Sequence, residues 1–523
     1  MSRQLVWHLN FSLLNFRYEM SSTTISPTSI SRAPSARATE EPRIEPHVMR
    51  VAIVVILGAI MSVLDTTIVN VALHDLSIDL HATLGGIQWV ITGYLLSLAA
   101  VIPVTGWAVR RYSARRLYLI ALVVFTLGSA LCALAANTGE LIAFRVLQGV
   151  GGGMLTPIGQ MILVKAAGPR NLPKVMSLIG VPIVLAPVFG PTLGGLLLQS
   201  AGWEWIFMIN VPVGALALFM AWRLLPHDEA GSSQAGRLDM IGLGLAAAGV
   251  VGLTYGLSES ETAGTLTSWS VLGPALAGLA LLAAFVVRSQ RIERPLLDLK
   301  LFANPAFRAA SIVTFCLGAA LFGAMILMPL YFQTIRGEDA IMTGLLLIPQ
   351  GIGGGLGMFL SGRFTSRLGA GRTSLLGGLI LAAATIPFVL VTEATPFAVI
   401  GVAMLLRGIG VGLAIMPAMT AAFSVLSREQ VNDASPQLTV LQRVGGSLGT
   451  ALFAVVLQSQ TKTAHTAAAA AAGFGHTYWW VMAVTLLALI PALLLARIER
   501  RAKTDTAQLP VAIPVEEPLL EAA

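Results

Sequence analysis

Residues 51–73 read VAIVVILGAIMSVLDTTIVNVAL, and this stretch decides the class of fold. It contains one charged side chain, that of Asp65. An α-helix rises about 1.5 Å per residue, so roughly 20 residues cross the hydrocarbon core of a bilayer, which is about 30 Å thick. The stretch is therefore predicted to be a transmembrane helix that carries a single carboxylate.

The composition of the whole chain extends this prediction. Of 523 residues, 55% are hydrophobic and 11% are charged, with a mean hydropathy of +0.79. Soluble domains carry about 25% charged residues. This difference argues against a soluble enzyme and, despite the net charge of +7, against a nucleic-acid partner. The two cysteines, Cys132 and Cys316, lie inside apolar runs, and no metal-ligand spacing occurs, so neither disulfides nor a metal is expected.

Fourteen apolar runs are long enough to cross a bilayer. They lack the ten-residue alternation of outer-membrane strands, so the predicted fold class is an all-α polytopic membrane protein. The runs are 51–73, 86–109, 117–136, 140–164, 176–199, 206–225, 240–257, 269–287, 309–332, 342–361, 374–392, 397–421, 436–458 and 477–496.

The loops between these spans differ in charge. With the N-terminus inside, the cytoplasmic loops hold 18 Lys and Arg residues, whereas the outer loops hold only Arg336 and Lys462. An extra or missing span would exchange the sides of all later loops, so the asymmetry supports the count of fourteen. We expect a multi-pass protein of the cell (cytoplasmic) membrane with both termini in the cytoplasm.

The two ends are polar. Residues 1–47 are predicted to be a disordered cytoplasmic tail, and 499–523 a second cytoplasmic tail. Met20 is the preferred start of translation over Met1, which an intact mass would test. The alanine run 467–472 is predicted to lie in an outer loop.

An internal repeat relates the two halves. Residues 106–116 read GWAVRRYSARR and residues 362–372 read GRFTSRLGAGR, each after the second helix of its half and 256 residues apart. Either loop alone could be an ordinary basic loop. Together they predict two parallel six-helix bundles, 48–225 and 301–498, separated by a two-helix insert at 226–300.

Charged residues inside the spans are the candidates for chemistry, because each costs about 2.5–3.5 kcal/mol at the bilayer centre. Counted along their helices, Asp65 and Arg145 lie at depths of about 22 and 21 Å from the cytoplasm, so they are predicted to pair. The carboxyl could then exchange a proton as its surroundings change. Alternatively, the pair is a structural clasp that never titrates. Arg407 and Arg443 have no acid at their depth, and a structural role is favoured for both.

Span five has the composition of a hinge. Residues 180–195 read GVPIVLAPVFGPTLGG, which would break a soluble helix but permits kinks and close helix contact in a membrane. The residues predicted to allow bending or sliding are Gly180, Pro182, Pro187, Gly190, Pro191, Gly194 and Gly195.

The chain resembles the major facilitator superfamily, and within it the fourteen-helix drug:proton antiporters of the EmrB/QacA type. The resemblance covers about residues 48–500 and implies two six-helix bundles plus two extra central helices. The motifs that carry it, beside span five, are LDTTIVNVAL at 64–73, QWVITGY at 88–94, RVLQG at 145–149, WEWIFMINVPVG at 203–214 and PLLDL at 295–299.

The resemblance implies roles for particular residues. Asp65 would be the proton-linked acid, Arg145 would assist proton transfer, and span five would be the exporter hinge. The loop motif after span two comprises Gly106, Arg111, Arg115 and Arg116. Two residues depart from the family pattern, because Arg110 stands where an acid is usual and Ser113 where a glycine is usual. In the second half, Ser366 replaces the acid. The latch that this acid forms is therefore expected to be weak, shifted or absent.

The expected function is proton-coupled export of hydrophobic or amphiphilic small molecules, cationic ones included, by alternating access. No phosphate-binding loop for ATP occurs, so the proton gradient would supply the energy and no cofactor is needed. The protein is expected to act as a monomer, and an accessory export partner is compatible with this. Candidate cavity residues are Asn70, Gln148, Tyr331, Gln333 and Gln350.

Other functions remain open on the sequence. The same fold could export one specific metabolite or siderophore, or the protein could be a membrane sensor that transports nothing. A membrane enzyme would need His, Cys or carboxylate groups clustered at one depth, and the sequence has no such cluster. We therefore do not expect an enzyme.

Overall fold

The protein is built from α-helices. A computed structural model describes residues 44–226, 236–293, 295–462 and 464–507, in which no strand occurs. The helices before the insert are α1 (Pro46–Ile68), α2 (Leu73–Asp79), α3 (Leu84–Val101), α4 (Thr105–Tyr112), α5 (Ala114–Ala133), α6 (Thr138–Ala201), α7 (Glu204–Met208) and α8 (Asn210–Leu224). Those that follow are α9 (Met240–Ala263), α10 (Trp269–Arg291), α11 (Pro305–Met325), α12 (Leu327–Thr334), α13 (Ala340–Leu368), α14 (Ala370–Val389), α15 (Phe397–Ser424), α16 (Val431–Thr461) and α17 (Ala467–Ala507).

Within these described residues, thirteen segments are helical, long and apolar enough to cross a membrane. They correspond to thirteen of the fourteen predicted spans. The remaining one, span five, is the second part of α6, which continues as helix to Ala201 after a break at Gly168. Gly168 has φ 63° and ψ 172°, a conformation that a residue without Cβ adopts easily. The predicted gap between spans four and five is thus a single-residue break.

The chain ends differ from the prediction in detail. The helix α1 begins at Pro46, whose fixed φ suits the first helical position. The alanine run from 467, predicted to be an outer loop, is instead the start of α17, because alanine has the highest helix propensity. That helix also continues to Ala507, beyond the predicted boundary at 498. Residues 1–43, with Met20, and 508–523 lie outside the described residues.

The helices form two groups and a central pair. In the first group α1, α3 and α5 pack on α6, and α8 packs on α1 and α5. In the second, α13 and α14 pack on α15, while α11 packs on α16 and α17. The insert helices α9 and α10 pack against each other, and α9 also contacts α3 and α16. The fold is therefore two six-helix bundles with two extra helices between them.

The insert is held by a polar clasp and an aromatic contact. Asp239 caps α9 by accepting from the backbone N of Gly242 at 2.9 Å and from Arg288 Nη2 of α10 at 2.8 Å. Burial alone would raise the pKa of Asp239, but the hydrogen bonds from Arg288 and Gly242 outweigh it and lower that pKa. Trp89 of α3 stacks on Tyr255 of α9 with ring centroids 5.9 Å apart. The clasp joins α9 to α10, and the stacked rings join α9 to the first bundle.

Glycines set the spacing of the second bundle. A Cβ added to Gly408 would lie 2.2 Å from the carbonyl oxygen of Gln350 in α13. One added to Gly410 would lie 2.6 Å from the backbone N of Leu381 in α14. Real Cβ atoms do not approach so closely, so α15 can sit this near to both neighbours only with glycine at these positions.

The internal repeat is visible in the backbone. Ser113, between α4 and α5, has φ 78° and ψ 147°, and Gly369, between α13 and α14, has φ 93° and ψ 158°. The two positions are 256 residues apart, the spacing of the repeat in the sequence. The turn at Ser113 in the first half and the turn at Gly369 in the second half therefore have similar backbone dihedral angles.

Candidate functional site

The predicted pair of Asp65 and Arg145 is present. Arg145 Nη1 of α6 donates to Asp65 Oδ2 of α1 at 2.6 Å, and the two side chains are 1% and 0% exposed. Among the described residues, Asp65 is the one carboxylate that is fully buried. The described part also has no group of three or more His, Cys, Asp or Glu side chains that could hold a metal ion. The chemistry that the site shows is the pairing of two buried opposite charges.

Two amides complete the coordination of the carboxylate. Asp65 Oδ1 accepts from Gln148 Nε2 at 2.8 Å and from Asn210 Nδ2 at 3.1 Å. Both amides also donate to Ser129 Oγ, at 3.0 and 3.1 Å, and this hydroxyl donates to the carbonyl of Phe207 at 2.9 Å. Four helices, α1, α5, α6 and α8, thus supply one buried network that satisfies an ionised carboxylate.

The guanidinium of Arg145 is held from several sides. Its Nε donates to the carbonyl of Val90 at 3.2 Å, and Nη1 also reaches Gln148 Oε1 at 2.8 Å. Its Cζ lies 4.0 Å from the centroid of the Tyr94 ring, a cation–π geometry. The cation is therefore fixed in place beside the carboxylate that balances its charge.

A cavity of about 230 Å³ lies between the two bundles. It is bounded by α1, α3, α9, α11 and α16, so both bundles and the insert contribute to its wall. Thr66, the residue after Asp65, lines it, as do Thr254 of α9 and Arg443 of α16. The apolar part of the wall includes Leu95 and Phe322. The cavity therefore begins one residue away from the buried carboxylate.

The residues predicted to line a cavity lie elsewhere. Asn70 and Gln333 are exposed and Gln350 is half-buried, and none of them lines the cavity of 230 Å³. Tyr331 is buried, and its hydroxyl donates to the carbonyl of Thr392 at 2.6 Å, which is a structural bond. Polarity alone did not reveal which way these side chains face.

The network and the prediction overlap only in part. Gln148, predicted as a cavity residue, instead binds Asp65, whereas Asn210 and Ser129 were not predicted to take part. The sequence did contain a signal for Asn210, because it is a lone amide in the apolar string 203–214. A buried amide needs a hydrogen-bond partner, and Asp65 supplies one.

The second bundle has a buried arginine without a carboxylate. Arg407 of α15 is 1% exposed, and its Nη2 donates to the carbonyl of Ala320 in α11 at 3.3 Å. Its Nε has no hydrogen-bond partner among the described residues. Among the residues that the structure describes, the first bundle therefore pairs its buried arginine with an acid and the second does not.

The loop motif after span two makes a charge contact between the bundles. Arg110 of α4 forms an ion pair with Asp433, in the first turn of α16. Gly106 lies against the same turn, where an added Cβ would be 2.7 Å from the carbonyl oxygen of Asn432. The sequence led us to expect a weak, shifted or absent latch. The structure has a contact of opposite polarity, with the cation on the loop and the acid on α16.

The other arginines of this motif lie at the surface or on a neighbouring helix. Arg115 Nη2 donates to the carbonyl of Trp222 in α8 at 2.5 Å, whereas Arg111 and Arg116 are exposed. These three residues therefore do not bridge the bundles in the way that Arg110 does.

The glycines of span five face different neighbours. A Cβ on Gly190 would lie 2.2 Å from Thr67 Oγ1, and one on Gly194 would lie 3.0 Å from the carbonyl of Ile68, both in α1. One on Gly180 would lie 2.3 Å from Met358 Sδ in α13, whereas Gly195 has open space beside it. Span five thus packs between the two bundles. The side chains of its three predicted hinge prolines, Pro182, Pro187 and Pro191, are not among those described.

Two helical bundles with a cavity between them, and a charge pair buried beside that cavity, are the architecture of a membrane transporter. A profile of the Major Facilitator Superfamily matches residues 55–453, and the chain belongs to this superfamily. Its membership makes it a multi-pass transporter and not an enzyme.

Known proteins similar to the chain agree with this assignment. The multidrug resistance protein B homolog of Mycobacterium tuberculosis (strain ATCC 25618 / H37Rv) is 40% identical over 83% of this chain and 80% of its own. The methylenomycin A resistance protein of Streptomyces coelicolor is 34% identical over 86% and 93%. These similarities confirm the predicted resemblance to the drug exporters of the superfamily. The human organic anion transporter MFSD10 has a similar structure (TM-score 0.61, 17% identity, 86% of this chain and 100% of that chain), which shows the fold alone.

Proposed function

We propose that the protein is a proton-coupled antiporter that exports amphiphilic small molecules by alternating access across the cytoplasmic membrane. Its two termini would lie in the cytoplasm, and one chain would suffice for transport. The observation that carries the proposal is the buried carboxylate of Asp65, held by three donors beside a cavity between the bundles. The names of the two relatives, a multidrug and an antibiotic resistance protein, support export as the direction.

The network explains how a proton and a substrate could compete. In the ionised form, Asp65 receives hydrogen bonds from Arg145, Gln148 and Asn210. Protonation would remove its charge and leave the Arg145 cation without an anionic partner, which favours a rearrangement of α1 against α6. Because Thr66 is the next residue and lines the cavity, such a movement of α1 changes the wall that a substrate contacts. Proton binding and substrate binding would therefore alternate.

A closed contact between the bundles would separate the cavity from the side that carries the basic loops. There Arg110 pairs with Asp433. Deeper in the same interface, Ser435 Oγ of α16 lies 3.0 Å from the carbonyl of Pro157 and 2.9 Å from Gln160 Oε1, both in α6. In alternating access these contacts would break when the cavity opens to the cytoplasm, while the glycines of span five allow α6 to slide between its neighbours.

Proteoliposomes with an imposed pH gradient test the proposal. We expect the wild type to move a fluorescent amphiphile uphill when the gradient is present, and to lose this activity when a protonophore collapses it. Asp65→Asn should reduce uphill flux to the level of protein-free vesicles while substrate binding persists, because an amide cannot carry the proton. Asp79→Asn, a change of an exposed acid in α2, is the matched control and should transport normally.

Three outcomes would contradict the proposal. Full uphill flux by Asp65→Asn would remove this residue from the coupling role. Flux that ignores the pH gradient would exclude proton coupling. Binding of an amphiphile without any flux by the wild type would favour a sensor.

A further inference from the structure

The charge of the cavity is positive. Among the residues described as lining it, Arg443 of α16 is the one with a charged side chain, and none is Asp or Glu. Arginine stays protonated at all physiological pH values. An anionic substrate in this cavity would therefore meet a fixed charge of opposite sign.

Within the described ranges of the chain, no acid forms an ion pair with Arg443. Its Nε is buried without a hydrogen-bond partner in the described part of the chain. Arg145, by contrast, has both a carboxylate and an amide. A buried charged N–H group without an acceptor costs free energy. A ligand that supplies the acceptor would therefore bind with most of the free energy of that hydrogen bond.

The rest of the wall fits an anion with an apolar body. Hydroxyl groups come from α3, α9 and α16, and hydroxyls can donate to a carboxylate or sulfonate. Two more at the wall, on Thr66 and Thr450, already donate to the backbone carbonyls of Ser62 and Gly446 at 2.9 and 3.0 Å. Leu95 and Phe322 supply apolar surface for the body of the molecule. The residues that carry the remaining hydroxyls are Thr92, Thr254, Ser258 and Ser447.

We propose that this cavity binds amphiphilic organic anions, with the carboxylate or sulfonate on Arg443 and the apolar part against Leu95 and Phe322. The cavity volume of about 230 Å³ suits a ligand whose apolar part is a single ring or two fused rings. Since two of its hydroxyls, on Thr254 and Ser258, belong to α9, the insert is part of the binding site. This assignment differs from the sequence-based expectation that includes cations. Its export step rests on the proposed antiport, but its binding step does not.

A matched series of ligands tests the binding step directly. Full-length protein in lipid nanodiscs is dialysed against 2-naphthoate, 2-naphthamide and 2-naphthylmethylammonium, which share one ring system and differ in charge. We expect 2-naphthoate to bind about tenfold or more tightly than the ammonium compound. Arg443→Gln should weaken 2-naphthoate binding about tenfold, the size of one charge-assisted hydrogen bond, and change 2-naphthamide binding less than about twofold. Arg443→Lys keeps the charge and should retain most of the affinity.

Several results would overturn the proposal. They are equal or tighter binding of the ammonium compound, an Arg443→Gln protein that binds 2-naphthoate like the wild type, and no 2-naphthoate binding above empty nanodiscs. If Arg443→Gln does not fold, the double variant Thr254→Val/Ser258→Ala replaces it. That variant should weaken 2-naphthoate binding severalfold, and unchanged binding would exclude this cavity as the site.

The two proposals can fail separately. If 2-naphthoate binds through Arg443 but no amphiphile moves with a pH gradient, antiport is wrong and the anion site stands. If amphiphiles move with the gradient and Arg443→Gln changes neither their binding nor their flux, antiport stands and the anion site is wrong.

Discussion

At the scale of single residues, Ser113 shows how a departure from a sequence pattern becomes a physical property. Its φ of 78° and ψ of 147° lie in a region that glycine occupies and other residues rarely do. Such a conformation costs on the order of 1–3 kcal/mol when a Cβ is present. Its Oγ accepts a hydrogen bond from the backbone N of Arg116 at 3.4 Å, which offsets part of this cost. Gly369, at the repeated position, has the same geometry without the Cβ.

We expect Ser113→Gly to stabilise the protein by about 1 kcal/mol, because it removes this strain. Gly369→Ser introduces the same Cβ in the second half and should destabilise the protein by a similar amount. Thermal unfolding of both variants in one detergent, followed by tryptophan fluorescence, measures the difference. A lower melting temperature for Ser113→Gly would show that the serine hydrogen bond outweighs the strain.

Some contacts of the candidate site could be predicted from the sequence, and others could not. Asp65 and Arg145 could be placed opposite each other because depth along a helix follows from counting residues. Asn210 could not be assigned to Asp65, because its contact depends on the rotation of α8 about its axis. The rotation of a helix about its axis also decides where Tyr331 points. A buried tyrosine can face a cavity or, as here, donate a hydrogen bond within its own bundle.

At the scale of elements, span five combines glycines that touch a neighbour with one that does not. Gly190 faces Thr67, a short and branched side chain that cannot move aside, and Gly180 faces the unbranched side chains of Met358 and Met416. Gly195 has no atom within 4 Å of an added Cβ. Alanine variants at these three positions can therefore distinguish the effect of losing a close helix contact from the general effect of replacing a glycine.

We therefore expect Gly190→Ala to push α6 away from α1 and to lower the rate of pH-driven flux about tenfold. Gly195→Ala should transport like the wild type, and Gly180→Ala should be closer to Gly195→Ala than to Gly190→Ala. Initial flux rates per folded molecule in proteoliposomes give the comparison. Equal rates for all three variants would show that close contact in span five is not needed for transport.

The boundaries of elements were predicted less well than their existence. The break in α6 involves only Gly168, and hydropathy cannot tell a one-residue kink from a short loop. Hydropathy predicts a loop at the start of α17 because alanine is only weakly apolar, although an alanine run favours helix. Hydropathy reports burial in lipid, whereas helix ends depend on local propensity.

At the scale of the whole molecule, one ion pair links the bundles across 323 positions of sequence, from Arg110 to Asp433. The number of spans, their grouping and the repeat follow from hydropathy and loop charge, which are local properties. The partner of Arg110 does not follow from these local properties, because either bundle could have supplied an acid. A reversed polarity at a latch leaves the attraction unchanged, which explains why the family pattern alone was a poor guide here.

Charge exchange tests this link. The side chains of Arg110 and Asp433 are 26% and 15% exposed, so their pair is worth about 1 kcal/mol, a severalfold shift between two conformations. Arg110→Asp and Asp433→Arg should each increase the population in which this side is open, and the double exchange should restore the wild-type population. Spin labels at the exposed positions Arg116 and Ser366 report the separation of the bundles. A double exchange that behaves like the sum of the single variants would contradict a direct contact.

Asp65, the one fully buried carboxylate in the described part of the chain, has an electrical consequence. If each cycle carries one proton inward at Asp65 and one monovalent anion outward past Arg443, two elementary charges move across the membrane in the same sense. Each charge is worth about 2.3 kcal/mol per 100 mV, so an interior-negative voltage of that size would contribute about 4.6 kcal/mol to every turnover. Extrusion would then respond more steeply to voltage than to acidity, and a neutral cargo would show half of that electrical dependence.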